Sequence, residues 1–169
     1  MKRISVLFLS LLFVISVQAG IPTPDSAMAF YINKDARKWA PQFQDGNKKG
    51  FIMEFVIDGD SIKSWKEMVA QQIAFTKTPL RKYVDTWKGL LLKADSKVEF
   101  TDGTNTDGSI TESYTSISAD ETSIRRFIQG KDGIYMLAYH VRPKLKDPDI
   151  WKIWQGIIES AKLIPNPQK

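Results

Sequence analysis

The chain contains one histidine, His140, and any histidine-dependent catalysis or metal binding would have to use it. It lies in a strand predicted over residues 134–142, on the less apolar of that strand's two alternating faces. A general base needs a positioned partner, and Glu112 on a neighbouring predicted strand is the best placed carboxylate for that role. The chain has no Gly-x-Ser-x-Gly nucleophile motif. The pattern therefore favours a histidine that is hydrogen-bonded on a sheet over a catalytic one.

The sequence predicts no cofactor and no metal site. One histidine and no cysteine cannot supply the ligands of a zinc site. The stretch 102–108 places Asn105 and Asp107 at calcium-ligand positions of an EF-hand, but the first and last ligand positions fall on Gly103 and Tyr114. Asp, Asn, Thr and Gly are also the residues that turns select for conformational reasons, so we interpret this stretch as a loop.

Paired carboxylates are the remaining catalytic possibility, because a glycosidase needs only two acids across a cleft. The separation of the two acids identifies such a pair, and sequence does not give it. The candidate acids are Glu54, Glu67, Glu99, Glu112, Asp120 and Glu121. A small secreted hydrolase therefore stays open as an alternative function.

Five tryptophans are many for a small domain, and exposed tryptophans often anchor glycan or protein ligands. Trp87 and Trp154 belong to apolar helical stripes and are expected in the core. Trp65 and Trp151 lie off such stripes. These two are the better candidates for a binding surface.

Basic residues provide a second kind of candidate binding site. If the two strands of the last predicted hairpin bring Arg126 and Arg142 to one face, they form an anionic-ligand surface together with loop lysines. An acidic glycan or an anionic lipid would suit such a surface. The candidate ligand-binding residues are therefore Trp65, Trp151, Arg126, Arg142, Lys144 and His140.

The first nineteen residues have the pattern of a cleavable signal peptide. Lys2 and Arg3 precede an apolar run over residues 4–17, and small residues precede a cleavage point after Ala19. The run is shorter than the roughly 20 apolar residues of a membrane-spanning helix. Without cysteine the chain cannot carry the lipid of a bacterial lipoprotein. We therefore expect a secreted or periplasmic protein without a membrane span.

The size and charge of the mature chain are typical of one globular domain. About 150 residues remain after cleavage, enough to bury one core. Loss of two basic residues lowers the formal net charge from +5 to +3. Acids are interspersed with the bases almost everywhere, unlike the one-sided basic surface of a nucleic-acid-binding domain. We expect a monomer that does not bind nucleic acid.

The first half of the mature chain begins with weak patterns. Residues 20–48 form an N-terminal segment of uncertain order, in which residues 25–39 tolerate a helix. Alternation from residue 51 to residue 57 predicts a strand. Residues 61–67 have capping-box spacing and predict a short helix before a strand over 69–75; a continuous helix from 61 to 75 is the alternative.

Stronger signals follow. Thr78-Pro79 predicts the start of a helix that carries an apolar stripe, and Asp147-Pro148 predicts the start of a terminal helix. Between them lie four strands joined as two hairpins, at residues 97–101 with 110–117 and at 122–129 with 134–142. The pattern predicts a single α+β domain, residues 49–164, with a mainly antiparallel sheet covered by helices and a C-terminal tail, residues 165–169.

This order of elements resembles small exported bacterial proteins with the fold of PsbP, the extrinsic subunit of photosystem II. The resemblance covers residues 49–164, and three segments carry it: 61–67 (SIKSWKE), 149–154 (DIWKIW) and 160–164 (SAKLI). It implies a PsbP-like α/β/α sandwich that serves binding and assembly without a shared active site. Some similar proteins are type II secretion substrates of intracellular pathogens, so the resemblance also implies that route.

The leading hypothesis is an exported, non-enzymatic binding protein that recognises a host or envelope ligand. A virulence-associated secreted factor is one form of this hypothesis. Its partner would be a protein, a glycan or an anionic lipid. The alternatives are the small hydrolase with paired carboxylates and an envelope assembly factor.

Overall fold

The computed structural model of the protein describes residues 21–167. The predicted signal peptide, residues 1–19, and its cleavage point lie outside the described residues, as do the last two residues of the predicted tail. Within residues 21–167, no helix has the length and apolar character needed to cross a membrane.

The described residues form nine strands and two α-helices. The strands are β1 (Ser26–Ala29), β2 (Trp39–Asn47), β3 (Gly50–Ile57), β4 (Glu67–Ala74), β5 (Glu99–Asn105), β6 (Ser109–Ser116), β7 (Glu121–Gln129), β8 (Ile134–Val141) and β9 (Lys162–Pro165). The helices are α1 (Leu80–Ala94) and α2 (Pro148–Ser160). Seven strands make one antiparallel sheet in the order β2-β3-β4-β8-β7-β6-β5, while β1 pairs with β9 in a separate antiparallel pair. The predicted single α+β domain with an antiparallel sheet is confirmed.

The alternation of side chains along β8 separates two packed layers. Its even-numbered residues pack with Leu80 and Val84 of α1, and its odd-numbered residues pack with Trp154, Ile157 and Ile158 of α2. We call the two sides of the sheet the α1 face and the α2 face. β8 is buried on both sides because it lies in the middle of the sheet between these layers.

Two predictions in the first half of the chain are wrong. Residues 61–66 form turns, and Glu67 is the first residue of β4, so neither the short helix nor the continuous helix exists. The segment 25–39 holds β1 and a single 3-10 turn, Ile32–Lys34. The sheet also begins before residue 49, since β2 pairs with β3 along its length.

The helix starts and the C-terminal segment differ in detail from the predictions. Thr78 does not cap α1: the helix begins at Leu80 and makes no side-chain capping bond. Asp147 does cap α2, because its carboxylate accepts hydrogen bonds from the Asp149 and Ile150 amides. Residues 162–165, predicted as the end of a helix and the start of a tail, form β9.

A buried carboxylate connects the N-terminal segment to the α2 face. Asp35, whose side chain is 1% exposed, accepts hydrogen bonds from Trp154 Nε1 at 2.8 Å and from two guanidinium nitrogens of Arg37. Arg37 also forms an ion pair with Glu67, and Glu67 accepts a hydrogen bond from the Tyr139 hydroxyl. This network holds the segment before β2 against both the sheet and α2.

Candidate functional site

His140 lies on the α1 face and is hydrogen-bonded to a carboxylate. Its Nδ1 is 2.8 Å from Oε1 of Glu121, the first residue of β7, and the side chain of His140 is 8% exposed. The Tyr114 hydroxyl of β6 donates to the same oxygen. The partner of His140 is therefore Glu121, whereas Glu112 pairs with Lys88 at 2.8 Å. We call Glu121, His140 and Tyr114 the His140 cluster.

Two carboxyl groups near His140, those of Glu121 and Glu54, have pKa values shifted in opposite directions from the ordinary value of a glutamate. Burial alone would raise the pKa of Glu121, but the hydrogen bonds from His140 and Tyr114 and the charge of Arg125 lower it to about 2. Glu54, on β3, has its pKa raised by burial; the charge of His140 opposes this rise, and the negative charge of Glu121 adds to it. Opposite shifts within one cluster are a feature of acid and base pairs in enzymes.

Trp65 and Arg142 border the His140 cluster and hold two loops together. The Trp65 ring lies edge-on to the His140 ring at 6.4 Å, and the Arg142 guanidinium stacks on Trp65 at 4.0 Å. Arg142 also donates hydrogen bonds to the backbone carbonyls of Trp65, Ala119 and Asp120. Because its donors are already engaged by protein carbonyls, Arg142 stabilises the loop before β4 against the turn before β7.

Arg125 lies deeper on the α1 face, between the rings of Trp87 and Tyr114 at 3.9 and 4.5 Å. One nitrogen donates to the Ser123 hydroxyl at 3.2 Å, while its Nε has no hydrogen-bond partner among the described residues. Burial lowers the pKa of Arg125. Ser123 is fully buried and accepts from Arg125, so it is not exposed as a nucleophile for His140.

Arg126 lies on the opposite, α2 face, because its register partner on β8 is Leu137. Its two terminal nitrogens donate to Thr111 Oγ1 at 3.3 Å and to Ser109 Oγ at 2.9 Å. Its Nε is buried and has no hydrogen-bond partner within residues 21–167. The ion pairs of the described residues do not include Arg126, although the more distant Glu159 opposes the lowering of its pKa by burial.

The structure brings three of the six predicted binding residues together. Trp65, His140 and Arg142 lie at one corner of the α1 face, and Arg126 lies on the other face, so the two arginines do not form one anionic surface. Lys144 is exposed in a 3-10 turn, Pro143–Leu145. Trp151 is half-buried between Lys146, 3.9 Å from its ring centroid, and the Tyr139 ring.

The cavities and acidic groups give no metal centre. Among residues 21–167, no three His, Cys, Asp or Glu side chains are grouped in a way that could hold a metal ion. One cleft of about 570 Å³ lies between the β1–β9 pair and the β7–β8 turn. A second, of about 260 Å³, lies at the β2–β3 turn. Neither cleft is lined by His140 or Glu121.

Comparison with known proteins gives no relative for this chain: no family model, no curated protein and no solved structure matches it.

Proposed function

We propose that this chain is an exported, non-enzymatic binding protein that recognises an anionic group of a host or envelope ligand at Arg126. The leader pattern of residues 1–19 supports export to the periplasm or beyond. The resemblance of the element order to PsbP-like proteins suggests a binding role, by analogy of fold alone. The observation that carries the proposal is a partly buried guanidinium that lacks a carboxylate ion pair.

The environments of the two arginines distinguish their roles. Arg142 is engaged by an aromatic ring and three carbonyls, so its charge serves the fold. Arg126 is held only by neutral hydroxyls, which orient the guanidinium without neutralising it. A half-buried cation without a carboxylate in direct contact is incompletely satisfied, and a carboxylate, sulfate or phosphate group would supply charge-assisted hydrogen bonds.

The surface beside Arg126 suits a polar ligand. The odd-numbered residues of β6 share the α2 face with Arg126, since Thr111 is its register partner. They form a hydroxyl shelf of Ser109, Thr111, Ser113 and Thr115, of which Ser113 and Thr115 are half-buried and the other two are buried. Hydroxyl groups both donate and accept hydrogen bonds, so this shelf matches the hydroxyls of a glycan better than the acyl chains of a lipid.

The test is binding of two anionic probes by the mature chain, residues 20–169. Sulfated dextran and phosphatidylglycerol vesicles are titrated at two salt concentrations, with neutral dextran and phosphatidylcholine vesicles as controls. We expect Arg126→Gln to weaken sulfated dextran binding at least tenfold, while Arg81→Gln, an exposed arginine on α1, leaves it unchanged. Equal affinity of the Arg126→Gln and wild-type chains would refute the proposal, and vesicle binding alone would make the ligand a lipid.

A hydrolase with paired carboxylates is the second candidate, and the opposite pKa shifts of Glu54 and Glu121 favour it. In that function Glu54 would serve as the general acid and Glu121 as the ionised partner beside His140. The test is release of nitrophenol from aryl glycosides by wild-type, Glu54→Gln and Glu121→Gln chains. Turnover that both substitutions abolish would favour the hydrolase, whereas no turnover by the wild-type chain would remove it.

A further inference from the structure

The α1 face is only partly covered by its helix. α1 packs mainly on β6 and β7, and its Leu80 and Val84 also reach even-numbered residues of β8 and Ala70 of β4. The register from β8 through β4 and β3 to β2 places Phe43, Asp45, Ile52, Glu54 and Gln72 on the same face, beyond the helix. We call these five residues the acidic-apolar patch.

The side chains of the acidic-apolar patch are open to solvent to different degrees. Phe43 is 42% exposed, Asp45 is exposed, and Ile52, Glu54 and Gln72 are half-buried. Phe43 and Ile52 therefore offer apolar contact beside the two acids. The 260 Å³ cleft adds depth, because it is lined by Asp45, Ile52 and Gln72.

The charge of the patch is opposite to that of the chain. The chain carries a formal charge of +5, whereas both ionisable residues of the patch are acids. The β2–β3 turn at its margin carries two exposed lysines, Lys48 and Lys49, of which Lys49 lines the cleft. Two charges beside the patch act on Glu54 with opposite sign: His140 has the larger effect, and Glu121 has the smaller one. The cation of a partner would be attracted to the patch by its own two acids, Asp45 and Glu54.

The two acids of the patch are spaced for one cation. Phe43 is the register partner of Glu54, so Asp45 is a diagonal neighbour of Glu54. Diagonal side chains on antiparallel strands have Cβ atoms about 7 to 8 Å apart. A guanidinium placed between them reaches both carboxylates, and apolar side chains beside it reach Phe43 and Ile52.

We infer that the acidic-apolar patch binds a segment of a partner protein that presents an arginine or lysine between apolar side chains. The edge position of β2 allows an extended segment to lie along the patch, because side chains two residues apart in a strand share one face. This site lies on the face opposite Arg126, so the inference does not depend on the proposed function.

The test is an NMR titration of the isotope-labelled mature chain with a hexapeptide of alternating arginine and leucine. A hexapeptide of alternating glutamate and leucine is the control for charge. We expect amide shifts in β2, β3 and β4 with the basic peptide and none with the acidic one. Shifts confined to other strands, or equal responses to both peptides, would overturn the inference.

Matched variants separate the contributions of charge and apolar contact. We expect the double substitution Asp45→Asn with Glu54→Gln to weaken binding of the basic peptide at least tenfold, and Phe43→Ser to weaken it severalfold. The control is Asp58→Asn with Asp107→Asn, which removes two exposed acids outside the patch. Unchanged affinity in the Asp45 and Glu54 variant, with its fold verified by the same spectra, would overturn the inference.

Discussion

Asp35, which is buried, and Glu121, which is half-buried, stay ionised because several donors surround each of them. Asp35 accepts hydrogen bonds from Arg37 and from the indole of Trp154. Burial alone would raise its pKa, but these donors lower it overall. Glu121 is met by His140 and Tyr114. Asp35 joins the N-terminal segment to α2, and Glu121 joins β7 to its two neighbouring strands, so each carboxylate connects several elements.

We predict that Asp35→Asn strongly destabilises the protein. The amide keeps the shape of the side chain but leaves Arg37 with Glu67 as its one carboxylate partner. Breaking such an ion pair costs on the order of 3 kcal/mol. Urea unfolding followed by tryptophan fluorescence measures the loss. Asp58→Asn, in the exposed turn after β3, is the matched control and should change the free energy of unfolding by less than about 0.5 kcal/mol.

Glu121 predicts a specific dependence of stability on pH. Its pKa is about 2 in the folded chain, against an ordinary value of 4.5, so its stabilising contribution is complete above pH 4.5 and is lost as the pH falls towards 2. Glu121→Gln should therefore be less stable than wild type at pH 7, by on the order of 2 kcal/mol, with the difference shrinking below pH 4.5.

Unfolding free energies of wild type and Glu121→Gln between pH 7 and pH 3 measure this difference. Glu99→Gln, which removes an exposed acid of β5, serves as the comparison. A difference between wild type and Glu121→Gln that stays constant over that range would contradict the assigned role of Glu121.

The hairpin register explains which site residues sequence reasoning could have found. The four-residue turn between β7 and β8 pairs Gln129 with Ile134, and this pairing places Ser123 opposite His140. Glu121, two residues earlier, shares that face, while Arg126 faces the other way. Once the turn is assigned, counting residues along the two strands is therefore enough to place Arg126 and Arg142 on opposite faces of the sheet. Strand register does not predict that Trp65 lies beside His140, because Trp65 belongs to the turn before β4.

At the scale of elements, the sequence predicted the fully buried strand β8 and missed the edge strand β2. β8 is buried on both faces, and its apolar run predicted it. β2 is an edge strand that includes Pro41 and a bulge, and its polar side chains hide the alternation. Residues 61–67 have capping-box spacing, yet Glu67 pairs in β4, so tertiary pairing overrode a local signal.

The two predicted helix caps give a paired test. Asp147 accepts two amide hydrogen bonds at the start of α2, so Asp147→Ala should lower the free energy of unfolding by about 1 kcal/mol. Thr78 makes no such bond to α1, so Thr78→Ala should change it by less than about 0.5 kcal/mol. Chemical denaturation of both variants measures the difference. A larger loss for Thr78→Ala than for Asp147→Ala would contradict the assigned caps.

At the scale of the whole molecule, the two proposed binding regions lie on opposite sides of one sheet. Arg126 and the hydroxyl shelf occupy the α2 face, and the acidic-apolar patch occupies the α1 face. A ligand on one side does not obstruct a partner on the other. The arrangement suits a protein that connects two components, such as the envelope assembly factor that remains an alternative function.

Export of the whole molecule can be measured directly. We predict that cells expressing the full chain accumulate a form that begins at Gly20, as mass spectrometry would show. Fractionation of the native host culture then separates supernatant, periplasm and outer membrane. Mature chain in the supernatant without lysis markers supports a secreted factor, and retention in the periplasm supports an assembly factor. An uncleaved chain in the cytoplasm would contradict export.

The pairing of β1 with β9 also imposes an order in time. Ser26 pairs with Pro165 and Ala29 with Lys162, so β1 cannot pair until β9 has been synthesised. The chain emerges from its N-terminus, so β1 appears first and β9 last among the described strands and helices. β1 therefore cannot pair until all strands of the large sheet and both helices have emerged, and closure of this pair is a late step of folding.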